Sequence, residues 1–135
     1  MSQSNMELIR SGYERFRATG KFAADITAPG FVWDMSKFRG WPEQQVYAGS
    51  EGAELFLEDW RAAWEDWQLE AQAFHEWGDK VVAVMRQRGR SKSTGMQVDM
   101  LFAQVWTMDE GLATRMEMYA DPEEALQVAG LSASR

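Results

Sequence analysis

Asp34 stands in the run GFVWDM at positions 30–35, a lone carboxylate between Trp33 and Met35. An ionised carboxylate is costly to bury alone, and it escapes by pairing, by hydrogen bonding or by holding a proton. Asp34 therefore reads in one of two ways. It is a solvated strand end or cap partner, or it is a general base or ligand anchor whose pKa is raised by apolar neighbours. Tyr13 offers complementary chemistry from the apolar face of the first helix. Its hydroxyl either donates into a cavity or completes an ordinary core contact. Arg86, Gln87 and Arg88 follow the apolar run VVAVM in one strand. Alternation sends the two arginines to one face and Gln87 to the other, unless a bulge exchanges them. If one face borders a cavity, at least one polar group enters it; a salt-bridged outer face is the plainer reading for the arginines. Asp99 is a candidate partner for an inward arginine, or an exposed strand end.

The bulk composition removes several chemistries. The net charge of −7 argues against a basic nucleic-acid-binding surface and against attraction to anionic membranes. With no Cys, disulfides and thiolate metal sites are absent, and with His75 as the single histidine so are paired-histidine sites. His75, just before a hairpin, reads as a surface residue. The N-terminal MSQSNMELIR lacks the apolar run of a signal peptide, and no stretch reaches membrane-spanning length, so a cytoplasmic location is expected. A chain of 135 residues, 45% apolar and with seven Trp, supplies one domain with ample large side chains for a core.

These side chains must be positioned by recognisable elements. SNMELIRSGYERFRATG predicts a first helix: Ser4 and Glu7 have capping-box spacing, Ile9, Tyr13 and Phe16 share a face, and Gly20 stops it. KFAADI predicts a short second helix, TAPG a break, and FVWDM a strand. Residues 36–50 read as a loop punctuated by Gly40, Pro42 and Gly49. SEGAELFLEDWRAAWEDW predicts a long helix capped by Ser50, with Ala53, Phe56, Leu57, Trp60, Ala63 and Trp64 as its apolar stripe. That stripe serves a core, a pocket wall, or both. Four long strands in a meander follow, and DPEEALQVAG closes the chain as a helix with Asp121 as N-cap and Gly130 as C′. Met85, Met96, Met100, Met116 and Met118 read as strand filler, which also suits an adaptable pocket. An outward Trp106 would mark a dimer interface. The order implies a single α+β domain over residues 1–135: a cone-shaped curved antiparallel sheet, its concave face covered by three to four helices. A ligand pocket between sheet and helices is natural there.

The sequence resembles the nuclear transport factor 2-like superfamily, most closely its SnoaL-like branch. The resemblance is carried by GYERFRATG, VWD, YAGSEGAELFLEDWRAAWEDWQLE, GDKVVAVMRQRGR, AQVWTMDEGLATRMEMYAD and DPEEALQVAGL, which together run over nearly the whole chain. Ketosteroid isomerases of this superfamily use an aspartate base, with a tyrosine and a protonated aspartic acid as donors to an enolate oxygen. Carried over residue by residue, Tyr13 takes the tyrosine position before Gly20, and Asp34 takes that of the base. Counting back from Gly111 puts Ala103 at the acid's position, so the reaction implied is not steroid isomerisation. By the same alignment Asp99 and Ala103 face the cavity and Gln104 faces away. The aspartate–arginine–aspartate set of epoxide hydrolases with this fold is not matched by VMRQRGR and MEMYAD.

The expectation is a small-molecule enzyme moving a proton on a carbonyl-bearing compound, with Asp34 as base and Tyr13 orienting the substrate oxygen. Phe16, Trp33, Trp60, Trp64, Arg86, Asp99, Ala103 and Met118 would line an apolar pocket. No metal or organic cofactor is implied, and neither a nucleic acid nor a membrane is an expected partner. A homodimer through the outer sheet face is expected. The alternative is a non-catalytic ligand-binding or accessory dimer domain, or a structural module whose cone is filled by Trp side chains. Function on this superfamily is fixed by the site and not by the fold.

Overall fold

The computed structural model describes residues 4–38 and 46–130. Ser4 opens the first helix as the sequence predicts, its hydroxyl accepting from the Glu7 N–H at 3.1 Å. Helix α1 (Asn5–Thr19) ends where Gly20, at φ 76°, turns left-handed and donates its N–H to the Phe16 carbonyl. The expected second helix is only a 3-10 turn, Ala24–Ile26. It packs closely on α1 because Gly12 has no side chain: a Cβ there would stand 3.1 Å from the Ile26 methyl. Strand β1 (Thr27–Asp34) takes in TAPG as well, with its register shifting between Thr27 and Val32.

The expected 36–50 loop is interrupted by strand β2 (Val46–Ala48), which pairs with β1; residues 39–45, including Gly40 and Pro42, lie outside the described residues. Helix α2 (Gly49–Ala62) begins earlier than predicted, with Ala48 as N-cap and no side-chain cap, so Ser50 lies inside the helix. It also ends earlier. Trp64 and Trp67 belong to strand β3 (Trp64–Trp77), not to the helix. Their spacing from Trp60 fits a helical stripe, but pairing across the sheet overrides it. Trp64 stands opposite Ser91, and the Ala63 carbonyl accepts from Lys92 N–H at 3.0 Å. Strands β4 (Lys80–Ser91), β5 (Gln97–Asp109) and β6 (Leu112–Tyr119) complete the predicted meander, and helix α3 (Pro122–Val128) is capped by Asp121.

The sheet is curved, open and ordered β2-β1-β6-β5-β4-β3. All pairings are antiparallel except β1 with β6, which is parallel. The main core lies on the concave side, where α1 and α2 meet Trp33, Val81, Ala83, Met85, Phe102, Trp106 and Met116. The third helix, α3, lies instead against the opposite face, where Ala125 and Ala129 cover Val82, Ala103, Val105 and Tyr119. Among the described residues no helix is long and apolar enough to cross a membrane.

One polar group ties four elements together under α2. Gln87, fully buried on the concave side of β4, accepts from the indole N–H groups of Trp60 at 2.5 Å and Trp67 at 2.7 Å. Its amide nitrogen lies 3.7 Å from the Met100 sulfur on β5. Gln87 is thus the polar residue of the Arg86–Arg88 triplet that turns inward, and its oxygen is consumed by structure. Replacing it by an apolar residue strands one buried and one half-buried indole donor. Gln87→Leu is expected to cost about 2–3 kcal/mol of stability, read as a lower midpoint in denaturant with an unchanged slope. A smaller effect than that of Met100→Leu would show that the shared acceptor contributes nothing.

Candidate functional site

Between α1, α2 and the concave sheet lies a cavity of about 50 Å³. Helix α1 contributes Tyr13 and Phe16, β1 contributes Trp33, and β5 contributes Gln104 and Trp106. The rest of the described lining is aliphatic or aromatic, and among the described residues it includes no Asp, Glu, His or Lys. Trp106 organises the rings: Tyr13 and Trp33 meet it edge-on at centroid distances of 6.4 and 6.0 Å, and Phe31 stacks on it at 6.0 Å.

Four buried polar atoms of this lining have no hydrogen-bond partner: Tyr13 Oη, Trp33 Nε1, Trp106 Nε1 and Gln104 Oε1. Trp64 Nε1 is the only other such atom among the described side chains, and it lies outside the cavity lining. Unsatisfied buried polar atoms are rare and costly, so four on residues around one small space make it the candidate site. Burial pushes the Tyr13 phenol far above the ordinary tyrosine value. The Trp106 indole N–H offsets part of that rise without completing a hydrogen bond. Tyr13 therefore keeps its proton throughout the working pH range. The site presents a hydroxyl and two indole N–H donors beside one amide, which offers oxygen as it stands or NH2 if turned over.

The sequence-derived candidates divide between the two faces of the sheet. Tyr13, Phe16 and Trp33 line the cavity. Asp34 does not: next to the inward Trp33, it points to the opposite face and is 2% exposed. There it accepts from the Ser36 N–H at 2.8 Å and is ion-paired with Arg115 of β6. Burial alone pushes its carboxyl up, but Ser36 and Arg115 together outweigh that and hold it below the usual carboxylate range. The expectation that Asp34 faces Tyr13 with a raised pKa is thus corrected: the charge is stabilised by a partner and not by taking up a proton.

Ala103 is corrected too. It packs under α3 on the outer face, while Gln104 enters the cavity. The alignment-based phase was off by one residue, which flips every side chain of the strand. The chain's own signal lay in the large residues Met100, Phe102, Trp106 and Met108, all on the concave side. Asp99 and Arg86 do pair, at 2.9 and 2.6 Å, but they do so on the outer phase and half exposed. Trp60 and Met118 are buried in the core, and Trp64 packs against Trp60; none of them lines the cavity. Trp106, weighed as an outward interface residue, is 3% exposed and central to the site. Among the described residues no cluster of three His, Asp or Glu could hold a metal ion.

A family model described as SnoaL-like domain matches residues 10–116. No curated protein matches the chain. Among solved structures, TerC co-crystallised with polyporic acid is 25% identical, with a TM-score of 0.70, over 93% of this chain and 98% of that one. A nuclear transport factor 2-like protein from Burkholderia thailandensis is 23% identical, with a TM-score of 0.75, over 96% and 98% of the two chains. A protein described as a SnoaL-like polyketide cyclase, from a Jannaschia species, is 19% identical, with a TM-score of 0.66, over 100% and 99%. At those identities the last two speak to the fold.

The Asp34 pair has a pH signature. Its folded pKa is depressed, so its contribution is complete above the unfolded carboxylate value of about 4 and is lost as pH falls through the folded value. Asp34→Asn is expected to cost about 1–2 kcal/mol at pH 7, a figure discounted for the partly exposed Arg115. It should also flatten the acid limb of the stability curve. Equal acid sensitivity of the two proteins in urea titrations would refute this assignment.

Proposed function

This chain belongs to the SnoaL-like domain family, and we propose that it binds a small, mainly apolar molecule through one oxygen atom of that ligand. The observation that carries the reading is the group of orphaned polar atoms in the cavity. Three spare donors on residues that line one space fit a carbonyl, enol or phenol oxygen. Such a set is worth more in a water-excluded site than in solution. The relative TerC, co-crystallised with polyporic acid, adds support for an organic ligand as the occupant of this fold.

Of the two readings drawn from sequence, binding is better supported than proton transfer by Asp34. The donors would stabilise a developing enolate, as an isomerase or cyclase requires, yet among the described residues the lining has no group that accepts a proton at neutral pH. A proton-transfer reaction here would leave Tyr13 as hydrogen-bond donor and take its base from the ligand itself. A homodimer through the outer sheet face belongs to the same proposal, restricted to the part that α3 leaves open, around the exposed Leu101.

The reading is tested with 15N-labelled protein and a panel of aryl ketones and phenols. The indole N–H signals of Trp33 and Trp106 should move on binding while that of Trp77, exposed on the rim, stays put. Tyr13→Phe should weaken binding about fivefold to twentyfold, the loss of one buried hydrogen bond. Affinity for the ketones should stay flat from pH 5 to pH 9, because the described lining residues are neutral and Tyr13 keeps its proton. Asp34→Asn should bind as wild type does at pH 7. A panel that moves no cavity indole, or a Tyr13→Phe protein with unchanged affinity, rules the reading out.

A further inference from the structure

The cavity holds the directional groups but not the room. About 50 Å³ takes a carbonyl and little more, whereas small-molecule sites usually span roughly 300–1,000 Å³. The missing room lies next door. A cleft of about 410 Å³ shares Phe16 and Leu69 with the cavity, so the two spaces abut on the Phe16 ring. The cleft draws Trp67 and Leu69 from the concave side of β3 and Gln68 and Glu70 from the other side. It therefore wraps the free edge of the sheet.

Its charge runs against that of the molecule. In a chain of net charge −7, Arg17, Arg61, Arg86 and Arg88 line this one cleft, against the single carboxylate of Glu70 among the described residues. Arg86 is committed to Asp99. Among the described residues, Arg17, Arg61 and Arg88 have no carboxylate within ion-pair distance. Arg61 is already oriented: its guanidinium lies 5.1 Å from the centre of the Phe16 ring and donates to the Gly20 carbonyl at 2.5 Å, leaving further N–H groups unused. Phe16 and Trp67 stand edge to face at 6.2 Å, giving the cleft an aromatic floor.

We propose that the ligand is an amphipathic carboxylic acid: its oxygen-bearing apolar head enters the Tyr13–Gln104 cavity, and its carboxylate lies among Arg17, Arg61 and Arg88 in the adjoining cleft. Guanidinium groups suit carboxylates because their fork of N–H donors matches the two oxygens. This inference rests on the cavity reading above, and it adds the ligand's charge and the direction in which the ligand lies. Phe16 separates the two ends, so the connecting part is short, on the order of one or two aromatic rings.

The test uses two matched pairs: 4-acetylbenzoate with its methyl ester, and 4′-acetylbiphenyl-4-carboxylate with its methyl ester. Binding is followed through the indole signals of Trp33 and Trp106. In at least one pair the acid should bind about fivefold or more tightly than the ester, a modest gain because the arginines are solvent-exposed. That preference should shrink as salt is raised. It should fall below about twofold in Arg17→Gln/Arg88→Gln and return in Arg17→Lys/Arg88→Lys, for a charge contact of this strength. Unchanged ester binding in the glutamine variant shows that the variant is folded. Equal affinity of acids and esters, with the indoles still responding, overturns the carboxylate cleft and leaves the cavity reading standing. A preference that survives the glutamine variant also overturns it. No indole response to any of the four compounds overturns the cavity reading and this inference together.

Discussion

Trp106 takes the concave side of β5, with Tyr13 and Trp33 against its edges and Phe31 on its face. Successive side chains of a strand go to opposite faces, so this placement fixes its neighbours. Gln104 must enter the cavity, and Ala103 and Val105 must lie under α3. Through the ladder it reaches further: Trp106 stands opposite Val81 on β4 and Met116 on β6, and Met116 opposite Trp33 on β1. Four strands therefore share one parity. On β1 that parity turns Trp33 inward and Asp34 outward.

The same constraint separates two kinds of chemistry. Charged groups gather on the outer face or the rim, where Asp34, Arg115, Glu117 and Lys37 form one connected set on β1, β6 and the turn after β1. Among the described residues the cavity lining is neutral, and Tyr13, Trp33, Gln104 and Trp106 each have a donor or acceptor to spare. On the proposed reading, a neutral lining of this kind would orient a ligand oxygen without competing for its protons. Selectivity then depends on where the oxygen sits relative to the rest of the ligand.

Much of this was legible in the sequence where a local rule has one outcome. Ser4 with Glu7, Gly20, and Asp121 with Pro122 mark helix ends through backbone hydrogen bonds that leave little choice, and α1 and α3 follow them. The meander was legible because its turns fall at Gly78 and Gly111, which have positive φ. The end of α2 was not, because Trp60, Trp64 and Trp67 satisfy a helical stripe as well as they satisfy a strand; the partner across the sheet decides. The site was half legible. Tyr13, Phe16 and Trp33 could be picked out as apolar or amphipathic residues on one face. Asp34 misled because a carboxylate flanked by Trp and Met looks buried whichever way it points, and its partner Arg115 is 81 positions away. Parity on β5 was ambiguous to the eye because both of its faces are buried, one under α1 and α2 and the other under α3.

The parallel pairing of β1 with β6 orders events in time as well as in space. Thr27 lies beside Ala113 and Asp34 beside Glu117, so β1, paired with β2 on its other side, joins the rest of the sheet only through the last strand of the meander. Helix α1 packs on β3 and β4 and α2 touches β3, whereas β1 has only β2 beside it until β6 is made. Contacts this distant along the chain slow folding, because the intervening loop must close before any of them forms. Strand β1, which carries Trp33, is therefore among the last elements to join the sheet, and the cavity between Tyr13 and Trp33 is complete only with it.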